Sequence, residues 1–268
     1  MEIGVSTACF YPTPTEHIPE LLQRIGVTKA EVFLNSESEY EADFCLPLKE
    51  SLDAKGIEAV SVHSFVAQHE PFLFSDYPRR VQDAEKIYRK VLKATSMLGA
   101  KYHTFHGARK EMLGKYFDVD GYVKTINHLA DIAGEYGIKL ALENVSWCVS
   151  CDLDLWREIL PKLTSKHLGF TLDLKQARRA DSNYFEYASL FAERILNVHI
   201  SDANDLSDCL LPGDGDVDFS AVFRQLQSIG YQGDCIIEVY NEAVKSEEHM
   251  ASSVAYLKSI ANQSIAKS

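Results

Sequence analysis

The sequence predicts an α/β protein of one domain, a closed (β/α)8 TIM barrel. Three observations predict it. Eight short apolar runs, each long enough for one strand, alternate with longer stretches of helical periodicity along the chain. The length of 268 residues suits one complete barrel, which takes roughly 250. The first run leads into Thr7-Ala8-Cys9-Phe10-Tyr11-Pro12, without the glycine cluster that follows the first strand of an open dinucleotide-binding sheet. No linker, low-complexity tract or shift of composition divides the chain, so residues 1–268 read as a single domain with a frayed tail at about 262–268.

Strands are expected at residues 3–6, 30–34, 59–63, 101–106, 139–143, 168–173, 195–199 and 235–239. The fourth is the least apolar and is led in by Leu98-Gly99-Ala100. The clearest helix covers residues 78–98, where Val81, Ala84, Ile87, Val91, Ala94 and Leu98 recur at steps of three and four and give one buried stripe. Residues 122–136 repeat the pattern through Val123, Ile126, Leu129 and Ala133. Gly56, Gly99, Gly137 and Gly230 each stand between a helical stretch and the next strand, the place of a C-terminal stop. Residues 257–260 read as the end of a closing helix.

Hydrophobic residues make up 46% and charged residues 25%, a balance that lets a chain of this size bury its own core without staples. The formal net charge of −12 counts against a nucleic-acid partner, because phosphate contacts call for a basic face. No basic segment followed by an apolar one opens the chain, and no apolar run approaches the ~18 residues of a membrane span. A cytoplasmic protein with no membrane partner is therefore expected. The scattered Cys9, Cys45, Cys148, Cys151, Cys209 and Cys235 fit reduced thiols better than a disulfide framework. Oligomeric state stays open, a homo-oligomer included.

In a barrel of this kind the C-terminal ends of the strands form the active-site rim. His63, His106, Glu143, Asp173 and His199 end strands three to seven, and Glu238 stands near the end of the eighth. Taken singly, each has a bland reading. A strand-end histidine more often makes a structural hydrogen bond than binds a metal, and a strand-end aspartate often caps the next helix. The set changes this. Carboxylates inside apolar runs, as in Leu140-Ala141-Leu142-Glu143 and Ile236-Ile237-Glu238, are costly unless a cation meets them. No Lys or Arg ends a strand. One divalent metal ion held by Glu143, Asp173, His199 and Glu238 would meet all the carboxylates at once. Three carboxylates and one imidazole put Mn2+ first, with Mg2+, Co2+ or Zn2+ as alternatives, and inward-turned His63 and His106 would favour Zn2+.

Several segments together resemble the xylose isomerase-like TIM barrel superfamily. They are Leu142-Glu143-Asn144, Asp173, Val198-His199-Ile200-Ser201-Asp202, the glycine turn at residues 212–219 and Ile237-Glu238-Val239. This is the sugar phosphate isomerase/epimerase group, related to endonuclease IV. The resemblance runs over essentially the whole chain and is specific for the superfamily rather than for one activity. It implies a metal-dependent isomerase or epimerase of a sugar or sugar phosphate, working by proton transfer through an enediolate. It also implies that Glu143 and Glu238 double as the acid–base pair. His63 and His106 stand beside the metal as substrate contacts or a second metal site. Gln176 occupies the family's substrate-contacting histidine position. Ser201-Asp202-Ala203-Asn204-Asp205 lacks the arginine of the ketose 3-epimerases. The trinuclear zinc cluster of the endonuclease is not expected, because Ser207-Asp208-Cys209-Leu210-Leu211 lacks its Asp-x-His element. The alternatives are an inosose-type dehydratase or lyase on the same metal site, and an endonuclease IV-like phosphodiester hydrolase.

Other segments have narrower readings. Lys175, Arg178 and Arg179 form the nearest basic cluster and suit an anionic group on the substrate, against a solvated helix turn for the arginines. Trp147 suits stacking on a sugar face or core packing. Cys148-Val149-Ser150-Cys151 has redox or zinc spacing but no second pair, which favours a structural role. Pro212-Gly213-Asp214-Gly215 reads as a tight turn, not a phosphate loop. Substrate choice is expected from residues 9–14, 35–40 and 65–77.

Overall fold

A computed structural model describes residues 1–65, 69–112 and 117–265. Eight parallel strands close into a barrel in chain order. They are β1 (Ile3–Ser6), β2 (Lys29–Leu34), β3 (Glu58–Ser64), β4 (Tyr102–Phe105), β5 (Lys139–Glu143), β6 (Leu168–Asp173), β7 (Ile195–Ile200) and β8 (Cys235–Ile237). β1 pairs with both β2 and β8, which closes the ring. Each run expected to be a strand is one. The rim differs in detail, since β4 stops at Phe105 and β8 at Ile237, leaving His106 and Glu238 just past their strands.

Helices return the chain from the top of each strand to the bottom of the next. They are α1 (Ile18–Arg24), α2 (Ala42–Ala54), α3 (Pro78–Met97), α4 (Val119–Glu135), α5 (Leu153–Ile159), α6 (Leu174–Arg179), α7 (Tyr184–Phe191), α8 (Phe219–Ser228) and α9 (Glu247–Ile265). α3 and α4 bury the stripes read from the sequence, among them Ala84, Val91, Ala94, Ile126, Leu129 and Ala133. Gly99 and Gly137 take φ of +74° and +73°, a left-handed turn that a Cβ would strain and that points the chain into the next strand.

The closing helix runs past the end expected at about residue 260. α9 continues to Ile265, because Met250, Val254, Leu257 and Ala261 form one buried stripe that pins the helix to the barrel. Residues 266–268 lie outside the described part. Among the described residues no helix is long and apolar enough to cross a membrane. All six cysteines are buried and unpaired.

The barrel interior is not uniformly apolar. Below the rim, Glu31 of β2 meets Ser61 of β3, Thr104 of β4 and Asn197 of β7. This buried polar layer forms the floor on which the site rests.

Candidate metal centre

Four consecutive strands bring Glu143, Asp173, His199 and Glu238 together, with one ligand atom of each within 4.8 Å of the others. Register does this directly, because Asp173 pairs across the sheet with His199. His199 Nδ1 lies 3.4 Å from Glu143 Oε1, 3.8 Å from Asp173 Oδ2 and 3.2 Å from Glu238 Oε2. Proximity here is not hydrogen bonding: His199 Nδ1, Asp173 Oδ2 and Glu143 Oε2 are buried without a hydrogen-bond partner. Native cores rarely leave such atoms unmet. Carboxylate oxygens and a bare imidazole nitrogen converging on one point are the donor set of a divalent cation, so these residues fit one.

Asp173 satisfies both readings of a strand-end acid. Its Oδ1 accepts from Gln176 N at 2.8 Å and caps α6, while Oδ2 faces His199. Asn144 locks the neighbouring strand ends together. Its Nδ2 donates to Asp173 O at 3.0 Å and its Oδ1 accepts from Asp173 N at 2.7 Å.

His199 is oriented from behind by Glu31, a residue that sequence reasoning missed. His199 Nε2 lies 3.1 Å from Glu31 Oε2, which as a carboxylate can only accept, so Nε2 carries a proton and Nδ1 is the nitrogen left facing the other carboxylates. Glu31 Oε2 also accepts from Ser61 Oγ at 2.7 Å and Thr104 Oγ1 at 2.8 Å. The signal was present as a single charge inside Ala30-Glu31-Val32-Phe33-Leu34.

The electrostatics follow from this packing. Burial alone would raise the Glu143 carboxyl, but the His106 and His199 imidazoles outweigh it and hold the group well below the usual range. Burial is likewise overcome at Glu238, by His199 and Lys175. Either glutamate can therefore serve as the carboxylate that accepts a proton.

Lys175 corrects one step of the sequence argument. No basic residue ends a strand, yet this one, two positions past Asp173, swings back on the first turn of α6. Its Nζ lies 3.5 Å from Asp173 Oδ2 and 3.3 Å from Glu238 Oε2, with the residue only 5% exposed. The chain thus supplies one cation of its own to the cluster.

The other expected contacts surround the same point. His106 Nε2 lies 3.1 Å from Glu143 Oε2, and His63 Nδ1 lies 3.6 Å from Glu238 Oε1. The two rings touch each other at 2.9 Å between Nε2 atoms. His63, His106 and Glu143 form a second group with metal-ligand spacing. Gln176 Oε1 accepts from Ser146 N at 3.1 Å, which ties α6 to the segment after β5. Trp147 is 43% exposed, so it is not core; it stands edge-on to His106 at 5.4 Å.

Above the cluster opens a cavity of about 490 Å³, walled by Tyr11, Asn35, Phe65, Trp147, Lys175 and Gln176 among others. The loops after β1, β2 and β3 contribute as expected, with residues 66–68 of the third outside the described part. The segment after β8, Val239 to Glu242, also lines the cavity and was not singled out from sequence. Arg178 and Arg179 are engaged elsewhere. Arg178 Nη2 donates to Asn204 O at 2.7 Å, and Arg179 pairs with Asp208 at 2.6 Å and with Tyr240 Oη at 2.8 Å.

Two remaining motifs are structural. Burial pushes the Cys148 thiol up, away from the reactive thiolate. The glycine turn wraps the Asp202 carboxylate, which accepts from Gly213 N at 2.8 Å, Gly215 N at 3.0 Å and Val217 N at 3.0 Å.

Comparison with known proteins agrees with this architecture. The chain is 27% identical over 259 residues to an uncharacterized protein of Methanocaldococcus jannaschii, covering 92% of this chain and 87% of the other. It is 26% identical over 179 residues to a ketose 3-epimerase of Arthrobacter globiformis, covering 63% of this chain and 60% of that enzyme. The crystal structure of a D-tagatose 3-epimerase-like protein superposes with a TM-score of 0.82 at 22% identity, covering 99% of this chain and 100% of that one. Residues 19–260 match the family profile throughout, and the chain belongs to the xylose isomerase-like TIM barrel family.

Proposed function

We propose that this protein is a divalent-metal-dependent epimerase or isomerase of a carbohydrate, free or phosphorylated. The observation that carries the reading is the pair of buried glutamates on either side of His199 Nδ1 at the foot of the cavity. Glu143, Asp173, His199 and Glu238 would hold the ion, with Mn2+ first and Zn2+, Mg2+ or Co2+ as alternatives. When bound, it supplies Lewis acidity to a substrate carbonyl oxygen and the hydroxyl oxygen next to it.

The residues of the chain do the rest. Glu143 and Glu238 come from the outer two of the four strands, so a substrate between them has one carboxylate on each face. One, as the carboxylate, removes the proton from the carbon beside the carbonyl. The other, having entered the cycle protonated from solvent, returns a proton to the opposite face and inverts that carbon. For isomerisation a proton is instead delivered to the former carbonyl carbon while the hydroxyl proton passes between the two oxygens, and the carbonyl shifts. His106 and His63 stand against these two carboxylates, and their Nε2 atoms, which meet each other, are the ring nitrogens left to receive a substrate oxygen. Gln176, with its oxygen committed to Ser146, is left with amide N–H groups to donate. Lys175 and Trp147 complete the substrate contacts, one by charge and one by its exposed ring. The endonuclease-type alternative has less support, because Arg178 and Arg179 are tied to protein partners rather than open to phosphate.

The test is deuterium exchange. Metal-loaded protein is incubated in D₂O with a panel of free and phosphorylated ketoses and followed by NMR. Deuterium is expected at the carbon beside the carbonyl of the accepted sugar. Glu143→Gln and Glu238→Gln, still folded by circular dichroism, should each lose about 10²–10⁴ of the exchange rate. Undiminished exchange in both variants refutes the acid–base assignment. Exchange accompanied by loss of water marks a dehydratase instead.

A further inference from the structure

Lys175 occupies an unusual place for a basic residue in a cation-binding cluster. The two oxygens nearest its Nζ are Asp173 Oδ2 at 3.5 Å and Glu238 Oε2 at 3.3 Å. The same two atoms face His199 Nδ1, at 3.8 Å and 3.2 Å. The ammonium therefore sits on oxygens that a metal ion would use. Nor is this a loose surface contact. The residue is buried, α6 is anchored by the Asp173 cap at 2.8 Å, and Nζ lies 5.2 Å from the centre of the Tyr240 ring. Lys175 is the one Lys or Arg among the described residues that line the cavity.

Two cations cannot share the same carboxylate oxygens without repelling each other, and in a buried site water screens that repulsion poorly. Conversely, three buried carboxylates are costly unless positive charge stands among them, and Lys175 adds to what the His199 and His106 rings can supply. Resting on the reading that these four residues bind a metal, we propose that Lys175 is a built-in counter-ion of the centre. It competes with the divalent ion for Asp173 Oδ2 and Glu238 Oε2, lowers the metal affinity of the site, and keeps the metal-free barrel folded. On metal entry the ammonium withdraws from these oxygens toward the cavity it already lines, where substrate oxygens can receive it.

The test uses Mn2+ alone on chelator-stripped, full-length protein, read by titration calorimetry and thermal melting. Lys175→Met keeps the length of the side chain and removes the charge. It should bind Mn2+ at least tenfold more tightly than wild type and melt at a lower temperature without metal. Arg178→Met removes a nearby charge that does not touch the cluster, and should leave Mn2+ affinity within twofold. Equal or weaker binding by Lys175→Met overturns the proposal, as does an equal gain in Arg178→Met. If Lys175→Met does not fold without metal, it is prepared loaded and Mn2+ release to a chelator is timed. Slower release than wild type supports the proposal, and equal or faster release overturns it. Mn2+ binding by wild type with no gain in the variant sinks the counter-ion role alone. Absence of binding in both sinks the metal reading beneath it.

Discussion

Glu31 Oε2 gathers hydrogen bonds from Ser61, Thr104 and Asn197 as well as from His199. A carboxylate so held fixes which imidazole nitrogen of His199 carries the proton, and so which one faces the cluster. Glu31→Gln offers that nitrogen an amide, whose N–H can replace the acceptor and turn the tautomer around. Metal affinity should fall by roughly 10–100-fold, measured by calorimetry with Mn2+, and an unchanged affinity would show that Glu31 only fills space. At this scale the sequence was informative about which residues meet, and less so about what else meets them. Glu143, Asp173, His199 and Glu238 were legible because each is a ligand type at the end of an apolar run. Lys175 was read as a substrate contact, and its place against Asp173 and Glu238 was hidden because strand-end logic ignores a residue two positions on. Only the immediate start of α6 turns its side chain back over the rim.

Among the elements, the seam between β4 and α3 carries a pH dependence. His103 of β4 lies against the Tyr88 ring of α3, 5.9 Å between centroids, and its Nδ1–H donates to Val62 O at 3.1 Å. Burial, with no partner for its other nitrogen, pushes this imidazole down to about 3. An unfolded chain protonates the same histidine near 6.5. The folded state therefore takes up its proton later than the unfolded one as pH falls. The stability this residue confers is whole above pH 6.5 and is lost progressively toward pH 3. Between pH 6 and 4 wild type should lose about 1.4 kcal/mol per pH unit more than His103→Gln. Urea unfolding of both proteins across that range reads the difference, and parallel profiles would contradict it. The elements themselves were largely readable, since strands of a buried parallel sheet are continuous apolar runs. Misjudgements came at ends. β4 and β8 stop before His106 and Glu238, and α9 outlasts its expected end because the spacing of Met250, Val254, Leu257 and Ala261 was not traced.

For the whole molecule, closure in chain order explains why ligands about 95 residues apart, from Glu143 to Glu238, meet at one point: β5 to β8 are neighbours in the ring. The same closure sets the polar layer of Glu31, Ser61, Thr104 and Asn197 beneath them, which no linear pattern displays because its members come from four strands. Family and fold were legible in the ordered motifs along the chain. Substrate identity was not, because the cavity wall is assembled from several loops whose side chains have no periodicity to read. The central claim is that one divalent ion belongs at the meeting point of Glu143, Asp173, His199 and Glu238. Its most direct test is elemental mass spectrometry on protein soaked in Mn2+ and Zn2+ and then gel-filtered, comparing wild type with Asp173→Asn and His199→Gln. One ion per chain in wild type, lost from both folded variants, is the expected result; a metal-free wild type, or full retention by both variants, would contradict it.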